Sequence, residues 1–441
     1  MPRTKYSKIS HPVRSRQLLI EMHEELLEHV KHKAGEKEER GDWLNKNYTF
    51  DHGCRFSSDV ARRLSRALLE QLMEGNRERR RNWEQKAQDT EILCANLLVN
   101  RRSKPVAISL NVNDYIPSRY TKASYFTLKL LKLMERDAWI DRVPGYHTAK
   151  EARMTRMWPT QKFLDYFEPC NEVDFQFPEL VILRDEKGKS PYKDTRETNK
   201  IRKILRQANT VNRAALVQLK TKQGFRQLNT DLHALFNGSF EQGGRFYTGK
   251  DGYQSIKNKN KERRHILINH QPTVELDFSG MQPRLLYALL GIQYDGDPYK
   301  AIIADYPELR LFAKQLLLAL INAKSVNKAI ASSNYNIHLD HKLYLTLKVI
   351  GTRTAELVDR FKEAHPAIAH YFGKSMGLKM MRLDARIALD VLEQFTSRGI
   401  PILAIHDSFI VEERREGELL KAMQTAYKRH SGGFTCPIKK E

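Results

Sequence analysis

Thr273-Val-Glu-Leu-Asp-Phe-Ser-Gly280, followed by Met281-Gln-Pro-Arg-Leu-Leu-Tyr-Ala-Leu-Leu290, is the stretch on which the reading of this chain turns. The first part predicts a strand, and the second, with apolar residues at helical spacing, predicts a helix. The Ser279-Gly280 turn between them leaves Asp277 at the carboxyl end of a buried strand, a good place to hold a metal ion. Taken alone it decides little, because a strand-ending aspartate is commonly a helix cap. A second acidic site lies far downstream, where Pro401-Ile-Leu-Ala-Ile-His-Asp-Ser-Phe-Ile-Val411 sets Asp407 between two apolar half-strands. A polar His-Asp-Ser at a hairpin tip is costly to hold near a core unless it serves a purpose.

The length of 441 residues predicts two or three domains with large cores. Lys and Arg outnumber Asp and Glu by 75 to 53, a net charge of +22, so a polyanionic partner is the natural reading. The four cysteines, Cys54, Cys94, Cys170 and Cys436, have no paired spacing, which argues against a zinc knuckle or a disulfide framework and suits a reducing cytoplasm. No apolar run approaches about 18 residues and no signal-peptide core opens the chain, so neither secretion nor membrane insertion is expected. A bacterial, phage or plasmid setting is the expectation.

Residues 1–105 read as a basic helical region, with amphipathic helices over Val13–His32 and from the Ser57-Ser58-Asp59 caps through Val60, Leu64, Leu68 and Leu72. The Arg77–Arg81 run reads as a solvated helix face. Residues 106–170 give a helix over Ser124–Glu135, with Leu128, Leu131 and Leu133 inward, a strand over Trp139–Val143, a basic loop, a strand over Arg153–Trp158 and a helix start at Pro159-Thr160. That order resembles a winged helix, which commonly places its helix in a DNA groove and its wing on phosphates. Lys122, Lys129, Lys132, Arg142, Lys150, Arg153 and Arg156 are the cations expected near phosphate. A hairpin from Glu179 and a basic helix over Thr198–Leu219 occupy a connecting region, 171–235. The boundary of the C-terminal domain, 236–441, falls loosely between 170 and 235.

Gly244-Arg245, Tyr253-Gln254-Ser255-Ile256, the Asp277 strand running to Arg284, Arg310-Leu-Phe-Ala-Lys314 and His406-Asp407 occur in the order of the palm and fingers motifs of family A DNA polymerases. The chain over about residues 236–413 therefore resembles that family and the phage-type single-subunit RNA polymerases. Each motif alone is weak, and their collinearity carries the resemblance. The fold it implies is α+β: a right-hand palm built on an antiparallel sheet with helical fingers. The expected chain adds a thumb-like part within 171–235 and the mostly helical N-terminal region with its winged helix.

The chemistry requires residues of these types. Attack of a primer hydroxyl on an α-phosphate is helped by two divalent ions roughly 4 Å apart, so carboxylates from separate strands must converge, and Asp277 and Asp407 have that strand context. The resemblance adds the backbone carbonyl of Phe278 as a metal ligand and Mg2+, or Mn2+, as the ion. Arg310 and Lys314, at i and i+4 on one helix, can both point at a triphosphate. By resemblance Leu318, Asn322 and Gln282 flank the nucleotide, and Arg245, Gln254, Arg284 and His406 lie along the primer-template. Gln282 stands where family A enzymes usually carry a Glu that blocks the ribose 2′-hydroxyl. Ser279-Gly-Met-Gln282 and His406-Asp-Ser-Phe409 are closer to the RNA polymerase branch. Leu318 and Asn322 replace the expected aromatic and Tyr, which leaves the sugar choice open. Three readings are open: primer extension by a DNA polymerase, RNA synthesis or priming with ribonucleotides, and a DNA-binding replication or regulatory protein with a non-catalytic palm. The expected partners are primer-template nucleic acid and nucleoside triphosphates, with no membrane.

Overall fold

The computed structural model describes residues 42–441 apart from 46, 77–79, 102, 148–151, 171–172, 176, 250–251 and 257–261. The helix expected over Val13–His32, most of the Arg77–Arg81 run and Lys150 lie outside the described residues. The chain divides into two compact units, residues 1–178 and 179–441.

In the first unit, strands β1 (Tyr48–Thr49) and β2 (Cys54–Phe56) precede helices α1 (Asp59–Leu72) and α2 (Trp83–Asn100). Strand β3 (Val106–Ile108), helix α3 (Phe126–Arg136), strands β4 (Ile140–Val143) and β5 (Thr155–Pro159), helix α4 (Gln161–Tyr166) and strand β6 (Val173–Phe175) come after them. The Ser58 hydroxyl caps α1 by accepting from the Ala61 amide at 3.2 Å and so satisfies a donor that the helix start leaves free. The buried face of α1 is Ala61, Ser65, Leu68, Leu69 and Leu72. Val60, expected inward, is exposed because the buried stripe runs through Ala61, Ser65, Leu68, Leu69 and Leu72, and at about 3.6 residues per turn Val60 falls off that face. On α3 the buried face is Thr127, Leu130, Leu131 and Met134, with Leu128 and Leu133 at its margins. The sheet order is β1–β3–β5–β4, with β1 parallel to β3 and the other pairs antiparallel.

The second unit opens with β7 (Val181–Asp185), β8 (Gly188–Lys189) and α5 (Arg196–Ala214). A reciprocal Thr195–Thr198 capping box starts α5. The helix ends at Ala214, not at Leu219, because Val217 and Leu219 alternate with Gln218 and pair as a strand. That strand is β9 (Val217–Thr221), followed by β10 (Gly224–Gln227), β11 (Leu232–Asn237), β12 (Ser239–Thr248), β13 (Ile266–Ile268) and β14 (Gln271–Phe278). Helices α6 (Met281–Leu289), α7 (Arg310–Asn322), α8 (Val326–Leu339), α9 (His341–Ile350), α10 (Thr354–Ala364) and α11 (Gly377–Thr396) come next. The chain then runs through β15 (Leu403–Ile405), β16 (Ser408–Glu412), α12 (Glu416–Ser431) and β17 (Ile438–Lys440). The architecture is mixed α+β. Residues 179–235 supply strands to both sheets of this unit, so they are continuous with residues 236–441.

Among the described residues the larger sheet has the order β10–β9–β13–β14–β16–β15, with β17 also on β14. Strand β14 is the centre of this sheet. Its Val274, Leu276 and Phe278 are buried, as are Phe409 and Val411 on β16. Burying a side chain of that size contributes about 1.5–3 kcal/mol, so the apolar face fixes the register of β14 and the acidic face is carried with it.

Candidate active site

The antiparallel register sets Asp277 opposite Ser408 on one side and Lys439 on the other. The β15–β16 hairpin closes with His406 and Asp407 as its two loop residues, since Ile405 pairs with Ser408. Such a loop takes positive φ at its first residue, where glycine is usual; here His406 takes it, at φ 55°. The Phe278 amide donates to the Asp407 carbonyl at 3.2 Å, which fixes the hairpin tip to the end of β14. The two acidic residues expected to converge therefore do so.

Their proximity has an electrostatic consequence. Burial and then the charge of Asp407 push the Asp277 carboxyl up to about 7, and the ammonium groups of Lys439 and Lys314 act against this. Lys439 Nζ lies 3.4 Å from Asp277 Oδ2 and also pairs with Glu441. One face of the β14 carboxylate site is thus closed by a cation from β17. Two residues upstream, Glu275 accepts from the Ser408 hydroxyl at 2.7 Å and pairs with Arg263 at 3.0 Å.

Beside Asp277 lies a cavity of about 400 Å3 lined by Arg284, Asp297, Tyr299, Arg310, Lys314 and Lys439. The i, i+4 spacing does bring Arg310 and Lys314 to one opening. Arg310 donates to Asp297 at 2.8 Å and lies over the Tyr299 ring at 5.6 Å, but its side chain is 57% exposed, a pair of small net worth. Lys314 is exposed and has no ion pair among the described residues. Leu318 and Asn322, further along α7, do not line the cavity. Asn322 Nδ2 instead donates to the Leu318 carbonyl at 2.6 Å, on the same helix. Gln282 is half-buried, with its Oε1 shielded and without a hydrogen-bond partner among the described residues.

Arg284 is buried and its donors are committed to backbone: to Ser279 O at 3.0 Å, to Gly296 O at 2.8 Å and to Tyr294 O. It ties the start of α6 to the loop that carries Asp297. Gln254 is likewise occupied. Its Oε1 accepts from the Thr248 amide and its Nε2 donates to Phe246 O and Ala404 O, so it clips the end of β12 to β15.

Arg245 reaches the acidic centre through a bulge. Gly243 and Gly244 have φ of 78° and 86°, and the β11–β12 register shifts opposite them. A Cβ on Gly244 would come 2.7 Å from the Phe236 ring, which is why the position needs glycine. Beyond the bulge, Arg245 Nε lies 2.5 Å from Asp384 Oδ2 on α11, which is almost fully buried. Burial first, with Asp407 nearby, pushes Asp384 up to about 6, while Arg245 opposes the rise. Arg245 thus pairs with Asp384 and also feels the charge of Asp407. Asp384 is not among the site residues expected from the sequence; an acidic residue among Leu383, Ala385, Ile387 and Ala388 was the available signal. His406 packs against Tyr247 at 5.5 Å, and burial, then Arg245, lower its pKa.

In the first unit the expected phosphate-facing cations do not form one strip. Arg142 opposes Met157 and Arg156 opposes Val143, so strand alternation puts the two on opposite faces of the hairpin. Arg142 pairs with Glu135 at 2.5 Å, and Arg156 donates to Leu44 O and Met154 O. Arg153 lies over the Tyr146 ring at 5.9 Å. Lys129 is half-buried, and Lys132 is exposed.

No protein-family model and no curated protein matches the chain. Among solved structures, the chain is similar to the POL domain of Pol1 from M. smegmatis in complex with DNA primer-template and dNTP, with 12% identity and a TM-score of 0.29. The likeness covers 56% of this chain and 51% of that one. A similarity of that size carries no argument about this protein. Among the described residues no helix is long and apolar enough to cross a membrane.

Proposed function

We propose that the second unit is a palm-and-fingers nucleotidyltransferase that extends a primer on a template, as a DNA polymerase of family A type. The observation that carries this reading is the meeting of Asp277 and Asp407 at the end of β14, beside a cavity that Arg310 and Lys314 enter from α7. Two carboxylates brought together from separate strands, one of them held near 7, are unfavourable together until cations neutralise them. Oxygen donors of this kind suit Mg2+ or Mn2+. Asp277 and Asp407 are the side chains that would hold the ions, with the Phe278 carbonyl the further ligand that the family resemblance implies; among the described residues no set of three acidic, His or Cys side chains forms a ligand group. When bound, such ions favour the attacking oxygen and the leaving pyrophosphate.

The chain's own residues do the rest. Lys314 and Arg310 bind the triphosphate, with Arg310 exchanging Asp297 for phosphate oxygens. Arg245, anchored by Asp384, positions Asp407. Arg284 keeps the 294–297 loop, and with it Asp297, at the rim of the cavity. The helix–hairpin of the first unit, with Lys129 and Lys132, is a candidate for gripping nucleic acid.

Purified protein given primer-template DNA, Mg2+ and either deoxy- or ribonucleoside triphosphates provides the test. Extension with deoxynucleotides that disappears in Asp277→Asn supports the reading. Incorporation of ribonucleotides alone moves it to an RNA polymerase or primase, and no extension with either set removes the catalytic reading.

A further inference from the structure

A second cavity, of about 670 Å3, lies wholly within the first unit and plays no part in the chemistry above. Its cations are Arg55, Arg62, Arg66 and Lys122, against the carboxylates of Glu84 and Glu91. Arg55 sits on β2 between Cys54 and Phe56, both buried, so strand alternation turns it away from that core and toward the cavity. Its Nη1 donates to the carbonyls of His52 at 3.0 Å and Cys54 at 2.8 Å. Among the described residues its Nε and Nη2 make no hydrogen bond, and no carboxylate lies in ion-pair range of it.

The guanidinium is largely removed from water. Burial lowers its pKa, with Glu91, Asp51 and Asp89 opposing from further off, and it stays charged at neutral pH. Nε and Nη2 form the edge of a guanidinium that grips a planar or tetrahedral oxyanion with two parallel bonds. A sheltered cation with that edge unused is unfavourable until an anion meets it. Lys122, half-buried at the same cavity, also has no ion pair among the described residues. Arg62 and Arg66 are held by Asp59 at 2.8 Å and Glu84 at 2.7 Å, pairs exposed enough to yield to a stronger anion. Phe177 adds an apolar wall.

We propose that this cavity is a phosphate-binding site, in which the Nε–Nη2 edge of Arg55 takes two phosphate oxygens, Lys122 supplies the second charge, and Phe177 borders the attached nucleoside. The phosphate comes from a strand terminus, an internal phosphodiester or a free nucleotide. The proposal does not depend on catalysis by the second unit.

Fluorescence anisotropy on the full chain tests it, using 3′-labelled DNA oligonucleotides with a 5′-phosphate or a 5′-hydroxyl and unlabelled deoxynucleoside monophosphate as competitor. Arg55→Gln should weaken binding of the phosphate-bearing strand roughly tenfold, the expected loss for one charge-assisted contact, and Lys122→Gln should weaken it in the same direction. A loss confined to the 5′-phosphorylated strand assigns the terminus. An equal loss on both strands assigns an internal phosphodiester. Competition by the monophosphate that Arg55→Gln abolishes assigns a free nucleotide. Circular dichroism melts establish that each variant is folded, and Lys122→Gln decides the matter if Arg55→Gln is not. Wild-type affinity of the folded cavity variants for all three probes overturns the proposal.

Discussion

The cavity beside Asp277 and the cavity beside Arg55 hold buried charge of opposite sign, and each contains an arginine in a different state. Arg284, at the first, is 6% exposed and gives its donors to three carbonyls. Arg55, at the second, uses only Nη1. A buried arginine whose donors are all met by backbone is part of the scaffold, while one with a free edge is poised for a ligand. The same contrast separates Asp384, paired with Arg245, from Asp277, whose nearest cation is 3.4 Å away and shared with Glu441.

The largest effect should come from the acids. Asp277→Asn or Asp407→Asn should lower primer extension by at least about 10³-fold, since each would remove a metal ligand, in single-turnover assays. Activity within a few-fold of wild type would break the contrast between ligand-poised and scaffold carboxylates. Next, Arg284→Ala should destabilise the second unit by about 3 kcal/mol in denaturant unfolding, because buried carbonyls lose their donors. Arg55→Gln, whose amide can still reach a carbonyl, should cost no more than about 1 kcal/mol.

The pH dependence of Asp277 sharpens the contrast further. Its folded pKa, about 7, lies above the ordinary 3.8, so its contribution is fully present below the unfolded value and is lost as pH rises through about 7. Asp277→Asn should therefore raise stability by ~2 kcal/mol at pH 8 and by nothing at pH 4, read as thermal midpoints. Mg2+ should stabilise the wild type at pH 8 and leave the variant unmoved; equal responses would refute a metal site. A smaller effect on catalysis belongs to Arg310→Ala or Lys314→Ala, each expected to raise the nucleotide KM roughly tenfold through one lost phosphate contact. Either should leave stability within about 0.5 kcal/mol, as expected for exposed side chains.

Much of the site was legible because it obeys short-range rules. The alternation of Thr273–Phe278, the polar tip at His406-Asp407 and the i, i+4 pair Arg310 and Lys314 each fix geometry within a few residues. Lys439 and Asp384 were not legible, since each acquires its role from a partner 162 and 139 positions away, and nothing local marks them. The end of α5 was misread because the pairing of Val217–Leu219 with β13 outweighs helix propensity there. The basic residues of the first unit were legible as charge, but only the register of β4 on β5 shows that Arg142 and Arg156 face opposite ways.

By itself, the sequence determined the strand–turn–helix around Asp277, the hairpin around Asp407 and the basic balance of the chain, because backbone sterics and residue periodicity act locally. Only the tertiary structure decided that β17 brings Lys439 against Asp277, that Arg245 pairs with Asp384 within reach of the Asp407 charge, and which arginines keep a free edge. Those outcomes depend on which distant groups share a buried volume, and desolvation there decides whether a charge is satisfied or left waiting for a ligand.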